Sequence, residues 1–238
     1  MHAIAKSTAK DTADMNDTER LDALFSERYS CRGYLPRPVP EADLRRIVEI
    51  AQKTASWCNS QPWQVYILSG SAKDRFRDGL LRYRQDHDSK PDIDFPREYV
   101  GVYQERRREC GFQLYESVGV ARGDRVASAK QAEENFKLFG APHVAIVTTP
   151  EALGTYGAVD CGAWVANFML IARSMGVASI AQAALAGQSA YIREFLQLPA
   201  ERLIVCGISF GYPDSDHPAN RFRTRRASIG QAVQFIEA

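Results

Sequence analysis

Apolar positions along this chain follow two rhythms, one helical and one extended. After Asp17-Thr18, which can cap a helix, Leu21, Leu24 and Phe25 share one face. That pattern runs toward Arg28 and stops near Gly33. Past Pro38 and Pro40, Leu44, Ile47, Val48 and Ala51 repeat at helical spacing. Residues 63–68 read as a short apolar strand ended by Ser69-Gly70-Ser71. Residues 72–100 are highly charged, carry Pro91 and Pro96, and are expected as a surface insertion or lid. Tyr103, Arg107, Leu114 and Val118 predict a helix with a basic turn at Arg106-Arg107-Arg108. A second strand is predicted at 143–148. Residues 159–175 are helical in length and apolar nearly all round, through Trp164, Val165, Phe168, Met169, Leu170 and Ile171, and Gly176 closes them. A helix without a polar face must be buried on every side, which predicts a central helix covered by a partner subunit. Ser189 is read as the cap of a helix bearing Ile192, Phe195 and Leu196, and 203–210 as a third strand. Strands are few and do not alternate regularly with helices, so an α+β fold is expected rather than a doubly wound sheet.

The rhythm breaks most informatively at Asn59-Ser60-Gln61-Pro62-Trp63. Proline disfavours the right-handed helical region for Gln61, so the chain is expected to be extended there. Two amides and a hydroxyl then stand on a short turn just before a strand, which is where binding groups are commonly mounted. From Tyr212 onward the chain is rich in proline and arginine and ends in an apolar stretch at 232–236, as an arm packing on something else would.

Composition narrows the classes. With 238 residues, 45% hydrophobic and 25% charged, the chain suits one sizeable globular unit. The expected organisation is an arm at 1–17 and one domain at 18–238, with 72–130 as insertion or lid and 212–238 as a C-terminal arm. A net charge of +1 supplies no field for nucleic acid or a membrane surface, so neither partner is expected. The arginines and tyrosines near 103–108 read as a solvated helix face. Five cysteines, Cys31, Cys58, Cys110, Cys161 and Cys206, lack Cys-x-x-Cys spacing. With a polar N-terminal stretch lacking an apolar core, they point to reduced thiols and a cytoplasmic location.

Several chemistries are missing. No Gly-x-Gly-x-x-Gly follows a strand, no Walker lysine loop exists and no Gly-x-Ser-x-Gly elbow occurs. The four histidines have no metal-ligand spacing, and His143, beside a strand, is expected to be structural. An enzyme of this composition would leave the chemistry to a bound cofactor.

One constellation is present. Arg28-Tyr29-Ser30-Cys31-Arg32-Gly33-Tyr34 puts two guanidiniums and a hydroxyl at alternating positions, which an extended backbone turns to one side. Arginine plus serine suits a phosphate, offering a charged fork and a neutral donor. Arginines on a helix dipole would explain Arg28 but not the alternation. Asn220-Arg221-Phe222-Arg223-Thr224-Arg225-Arg226 repeats the pattern near the other end.

These residues carry a resemblance. Arg28-x-Ser30-x-Arg32-x-Tyr34, Asn59 to Trp63, Asn135-Phe136 before Gly140-Ala141-Pro142, Gly207 to Asp214, and Asn220 to Arg225 stand in the order found in FMN-dependent nitroreductases of the NAD(P)H flavin reductase superfamily. The chain resembles that family over about residues 18–238, and most closely its members acting on nitrobenzoates and other nitroaromatics. The resemblance implies a three-layer α/β/α fold with a small, mainly antiparallel sheet and an intertwined homodimer holding two FMN. It implies that Arg28 and Ser30 hold the phosphate with Arg223 and Arg225, that Tyr29 is a further cofactor-binding residue, and that Arg32 supports the ring electrostatically near N1. Ala55, Ser56, Trp57, Asn59 and Gln61 would come from the other subunit, Asn135 would touch the ribityl chain or ring edge, and Gln182, Ala183 and Ala184 would approach N5. Trp57, Cys58, Tyr99, Tyr103 and Phe112 would shape the substrate pocket. The implied reaction is ping-pong reduction by NAD(P)H, from nitro to nitroso to hydroxylamine, with no side chain as the reacting group. A quinone or enone reductase, a reductive dehalogenase and a non-catalytic flavin binder are the alternatives. The chain departs from the family pattern at Ala55-Ser56, where Pro-Ser is usual, and at the bulkier Trp57-Cys58.

Overall fold

The computed structural model describes residues 15–237. Most of the expected N-terminal arm lies outside them. Helix α1 (Asp17–Glu27) is capped one residue earlier than the sequence suggests. Asn16 Oδ1 accepts from Glu19 N at 2.9 Å, and Glu19 Oε2 accepts from Asn16 N at 2.9 Å. This reciprocal pair satisfies two of the helix's free donors. There follow α2 (Glu41–Ala51), β1 (Gln64–Ser69), α3 (Gly70–Asp86), α4 (Gly101–Ser117), α5 (Arg125–Glu133), β2 (His143–Pro150) and α6 (Gly154–Ser174). The chain continues with β3 (Ala178–Gln182), α7 (Ala183–Ala186), α8 (Ser189–Leu196), β4 (Arg202–Gly211) and α9 (Ile229–Ala232).

The four strands form one sheet in the order β1-β2-β4-β3, with every neighbouring pair antiparallel. Successive side chains of a strand point to opposite faces, and β2 uses both. Ala145 and Val147 join Ile47 of α2 with Trp164 and Phe168 of α6. Val144 and Ile146 join Phe76 and Leu80 of α3 and Ile192 of α8. Two apolar cores, one on each face, give three layers and the α+β class that the sequence predicts.

The structure corrects three expectations and qualifies a fourth. Strand β3 is absent from the sequence reading because Ala-Ser-Ile-Ala-Gln has weak strand character; pairing with β4, from Ala178↔Gly211 to Gln182↔Gly207, makes it a strand. The charged stretch from 72 onward is not all surface insertion: Phe76 and Leu80, four residues apart on one face of α3, are fully buried. The following segment is tied down too, since Asp92 Oδ2 accepts from Ile204 N at 2.8 Å and from Arg193 Nη2 at 2.7 Å. Helix α6, expected to be covered by a partner subunit, is not covered all round within this chain. Trp164 and Phe168 face the sheet, whereas Tyr156, Val159, Ala163 and Ala166 stand exposed on the opposite side. Finally, Ser189 does not cap α8: Gln188 occupies the cap position, and Ser189 Oγ donates to Ala186 O at 2.7 Å.

His143 is structural, as read from the sequence. Its Nε2 accepts from Val39 N at 2.9 Å, and Nδ1 lies 2.6 Å from Ser69 Oγ. With Nε2 accepting, the ring is neutral and Nδ1 carries the proton. Burial first, and the charge of Lys73 second, hold its pKa below the ordinary histidine value.

Candidate functional site

At the end of α1 the chain leaves the helix, and Arg28 is already extended, with φ −69° and ψ 126°. Ser30 bridges Ser179 of β3 in parallel fashion, and Cys31 N donates to Ser179 O at 3.2 Å. Arg28, Ser30 and Arg32 line one cavity of about 470 Å³, together with Tyr29 between them; Cys31 alone of the run is turned away into the core. The C-terminal motif closes the same cavity through Phe222, Arg223 and Arg226. Two segments almost two hundred residues apart in sequence thus meet.

Asn220 is the clasp between them, and it is buried. Its Oδ1 accepts from Arg32 N at 2.7 Å, while Nδ2 donates to Gly33 O and Asp214 O, each at 2.8 Å. Gly33 must remain without a side chain, since a Cβ there would stand 2.2 Å from His217 Cγ. Tyr34 adds a second tie, donating to Ser209 O at 2.9 Å.

The cavity is electropositive. Four guanidiniums, those of Arg28, Arg32, Arg223 and Arg226, border it, and among the described residues none of its lining is acidic. Burial and then the charge of Arg226 lower the pKa of Arg28; burial lowers that of Arg32. Arg32 Nη1 donates to Ser30 O at 3.2 Å, and the Arg223 guanidinium lies 3.7 Å over the Tyr29 ring. These contacts leave most of the fork donors available for an anion. Arg225 is elsewhere: its Nε donates to Glu109 Oε1 at 2.8 Å, and Arg226 takes the place on the lining expected of it. Cys110 of α4, Phe222 and Arg226 are lining residues that the sequence reading did not assign to the site. An irregular arm offers no periodicity by which to decide which arginine faces inward.

A second polar cluster lies along β3. Buried Gln182 donates through Nε2 to Asn135 O at 2.8 Å, and its Oε1 accepts from Ser209 Oγ at 2.5 Å. The structure thus joins two expected site residues, Asn135 and Gln182, with exposed Ala183 and half-buried Ala184 following. Ser179 and Gln182 are three residues apart on the strand, so the bridge at Ser30 and this cluster lie about 10 Å apart. A ligand with an anionic head and a longer neutral body fits that spacing, as FMN would.

The turn at 56–61 sits apart. Its Trp57 N donates to Asp160 Oδ2 at 3.2 Å, whereas Glu27, next to Arg28, accepts from Arg173 Nε at 3.2 Å. Asp160 and Arg173 are thirteen residues apart on α6, about 20 Å along the helix. Ser56, Trp57 and Asn59 of one chain therefore do not border that chain's own cavity. Gln61 departs from expectation: its φ is +46°, so it satisfies the proline restriction in the left-handed region rather than by extension. Ser56 Oγ accepts from Gln61 N at 2.9 Å, leaving its own proton to donate, and Ala55, Cys58 and Asn59 are exposed.

Of the expected pocket residues, Tyr99 and Tyr103 are exposed at the start of α4. Phe112 borders a separate cavity of about 350 Å³ between α4 and α5, with the Arg122 guanidinium 4.6 Å over its ring.

Fold and cavity together define an α+β protein with a half-buried, carboxylate-free anion cradle beside the edge strand of its sheet. The sequence model of the Nitroreductase family matches residues 25–212, and the chain belongs to that family. It is 34% identical over 217 residues to nitroreductase NfnB of Mycolicibacterium smegmatis, covering 90% of this chain and 92% of the relative. It is 34% identical over 229 residues to a 4-nitrobenzoate reductase of a Nocardioides species, covering 92% and 90% respectively. The crystal structure of FMN-dependent NfnB from Mycobacterium smegmatis in complex with NADPH superposes with a TM-score of 0.87 at 31% identity, over 93% of this chain and 100% of that one.

Proposed function

We propose that this chain is an FMN-dependent oxidoreductase that reduces nitroaromatic compounds with NAD(P)H as a homodimer. The observation that carries the reading is the cavity bordered by four guanidiniums and the Ser30 hydroxyl, with no carboxylate on its wall. Bound there, FMN would supply a two-electron carrier between the nicotinamide and the nitro group. Arg28, Ser30, Arg223 and Arg226 hold the phosphate; Arg225 stays with Glu109. Arg32 brings a fixed charge to the body of the ligand, held ready by the backbone carbonyl of Ser30 and by Asn220. The Gln182–Asn135 pair supports the far end, where the backbone of Ala183 and Ala184 borders the ring.

The dimer reading rests on the open face of α6 and on the ~20 Å between the cradle and the 56–61 turn of one chain. Pairing through α6 brings the turn of one protomer, with Ser56, Trp57, Cys58, Asn59 and Gln61, to the cradle of its partner. Tyr99 and Tyr103 then border the mouth of the pocket, while Phe112 stays with its separate cavity.

Purified protein is expected to be yellow, to release FMN on heating, and to oxidise NAD(P)H when 4-nitrobenzoate is added. A colourless protein that FMN cannot reconstitute overturns the reading. Arg32→Ala should retain more FMN than Arg28→Ala and lower the flavin potential; an unchanged potential removes the role given to Arg32.

A further inference from the structure

Asp160 is a buried carboxylate for which the proposed chemistry has no use. It lies in α6 at 9% exposure, beneath the 56–61 turn. Its two oxygens accept from Trp57 N at 3.3 and 3.2 Å, and Oδ2 also accepts from Ser60 Oγ at 3.4 Å. One helical turn earlier, Tyr156 meets the Trp57 ring edge to face, with centroids 4.2 Å apart. Both rings are otherwise open, at 57% and 58% exposure.

The turn does not hold its shape by propensity. Cys58, Asn59 and Gln61 take φ of 51°, 55° and 46°, and none is glycine. Such backbone costs roughly 1–3 kcal/mol per residue and persists only where the surroundings over-determine it. A buried carboxylate accepting from an N–H and a hydroxyl at 3.2–3.4 Å ties the turn to α6. Its loss leaves the Trp57 N–H without its acceptor and lets the strained residues relax. What the turn displays outward, the side chains of Trp57, Cys58 and Asn59, is what would move.

We propose that Asp160 is a positioning residue: acting through the Trp57 N–H and the Ser60 hydroxyl, it fixes the turn that presents Trp57, Cys58 and Asn59 to the aromatic substrate. The inference rests on the nitroaromatic reductase reading for its kinetic consequence, while the geometry of the turn can be read independently.

The test uses the full-length holoprotein. The Trp57–Tyr156 contribution to near-ultraviolet circular dichroism is defined as the signal lost in Trp57→Phe. In Asp160→Ala that contribution should vanish, and KM for 4-nitrobenzoate should rise about tenfold with a smaller change in kcat. Asp160→Asn should restore both within about threefold, because its amide oxygen can accept from Trp57 N and its amide nitrogen can donate to Ser60 Oγ. Ser60→Ala, which leaves the carboxylate in place, should give an intermediate rise and keeps the test open if Asp160→Ala does not fold. An unchanged dichroic contribution in Asp160→Ala overturns the positioning role whether or not the protein is yellow. A lowered melting temperature with unaltered KM also overturns it, by reducing Asp160 to a structural group. A colourless, inactive wild type defeats the reductase reading instead, and the dichroism still decides whether Asp160 holds the turn.

Discussion

The arginine cradle and the 56–61 turn both present polar groups to solvent, but they are held by opposite means. The cradle is woven into the fold: Ser30 bridges β3, Asn220 clasps Arg32, Gly33 and Asp214, and Tyr34 bonds Ser209 of β4. Backbone geometry there is ordinary, so the cradle's shape follows from the sheet. The turn has three non-glycine residues in left-handed backbone and leans on one carboxylate and one ring of α6. A binding surface made from paired backbone should tolerate side-chain changes around it. One made from strained backbone should transmit them.

The largest expected effect tests whether the cradle depends on its clasp. Gly33→Ala drives a Cβ into His217, and Asn220→Ala removes the acceptor of Arg32 N together with one of the donors to each of Gly33 O and Asp214 O. Each should cost about 3 kcal/mol, or roughly 10 °C in melting temperature by calorimetry, and should abolish FMN retention. A variant that keeps its melting temperature would show that the cradle is not part of the fold's cooperative unit. Next in size, Arg28→Ala should weaken FMN binding about tenfold to thirtyfold by fluorescence titration, whereas Arg225→Ala should change it less than about threefold. Equal losses would mean that Arg225 leaves Glu109 for the cavity.

Acidity should separate the regions more gently. His143 is neutral in the folded protein, with its pKa below the ordinary value of 6.5. Its contribution to stability is complete above that value and declines as pH falls through it toward the folded pKa, because the unfolded chain gains the proton first. Denaturant titrations should therefore show stability falling below about pH 6.5, with a shallower fall in His143→Gln. An identical slope in the variant would assign the loss to other groups. The smallest effect is chemical. Cys58, on the turn, and Cys110, at the cradle, should react with a thiol reagent in the folded protein. Cys161 and Cys206, raised by burial to about 11 and about 12, and buried Cys31 should react only on unfolding. Slower labelling of Cys110 when FMN is present would support the cofactor's place in the cavity.

What the sequence made legible follows the same division. The alternation of Arg28, Ser30 and Arg32 is a property of extended backbone, and it survives into the structure because a sheet bridge enforces it. The apolar core on one face was readable from Ile47, Val48, Trp164 and Phe168, because helical spacing puts each pair on the buried face of its helix. Strand β3 was not, since alanines and a serine become a strand only against β4. Helix α3 hid its core role behind charges, as Phe76 and Leu80 are its two fully buried residues. The exchange of Arg225 for Arg226 belongs to an arm whose conformation is set by Glu109 and Thr224, partners far away or too close to generate a period. Gln61 showed the limit of a local rule, for proline excludes one region of backbone space without choosing between the others.

Helix α6 also acts as a ruler. It holds the two halves of the proposed site about 20 Å apart in one chain, so in the proposed dimer each pocket would draw on two copies. A lesion in the cradle and a lesion in the turn therefore damage different partners' contributions. Mixed in one cell, two inactive alleles of these kinds would assemble heterodimers with one wholly intact pocket, and activity would return without either sequence being repaired.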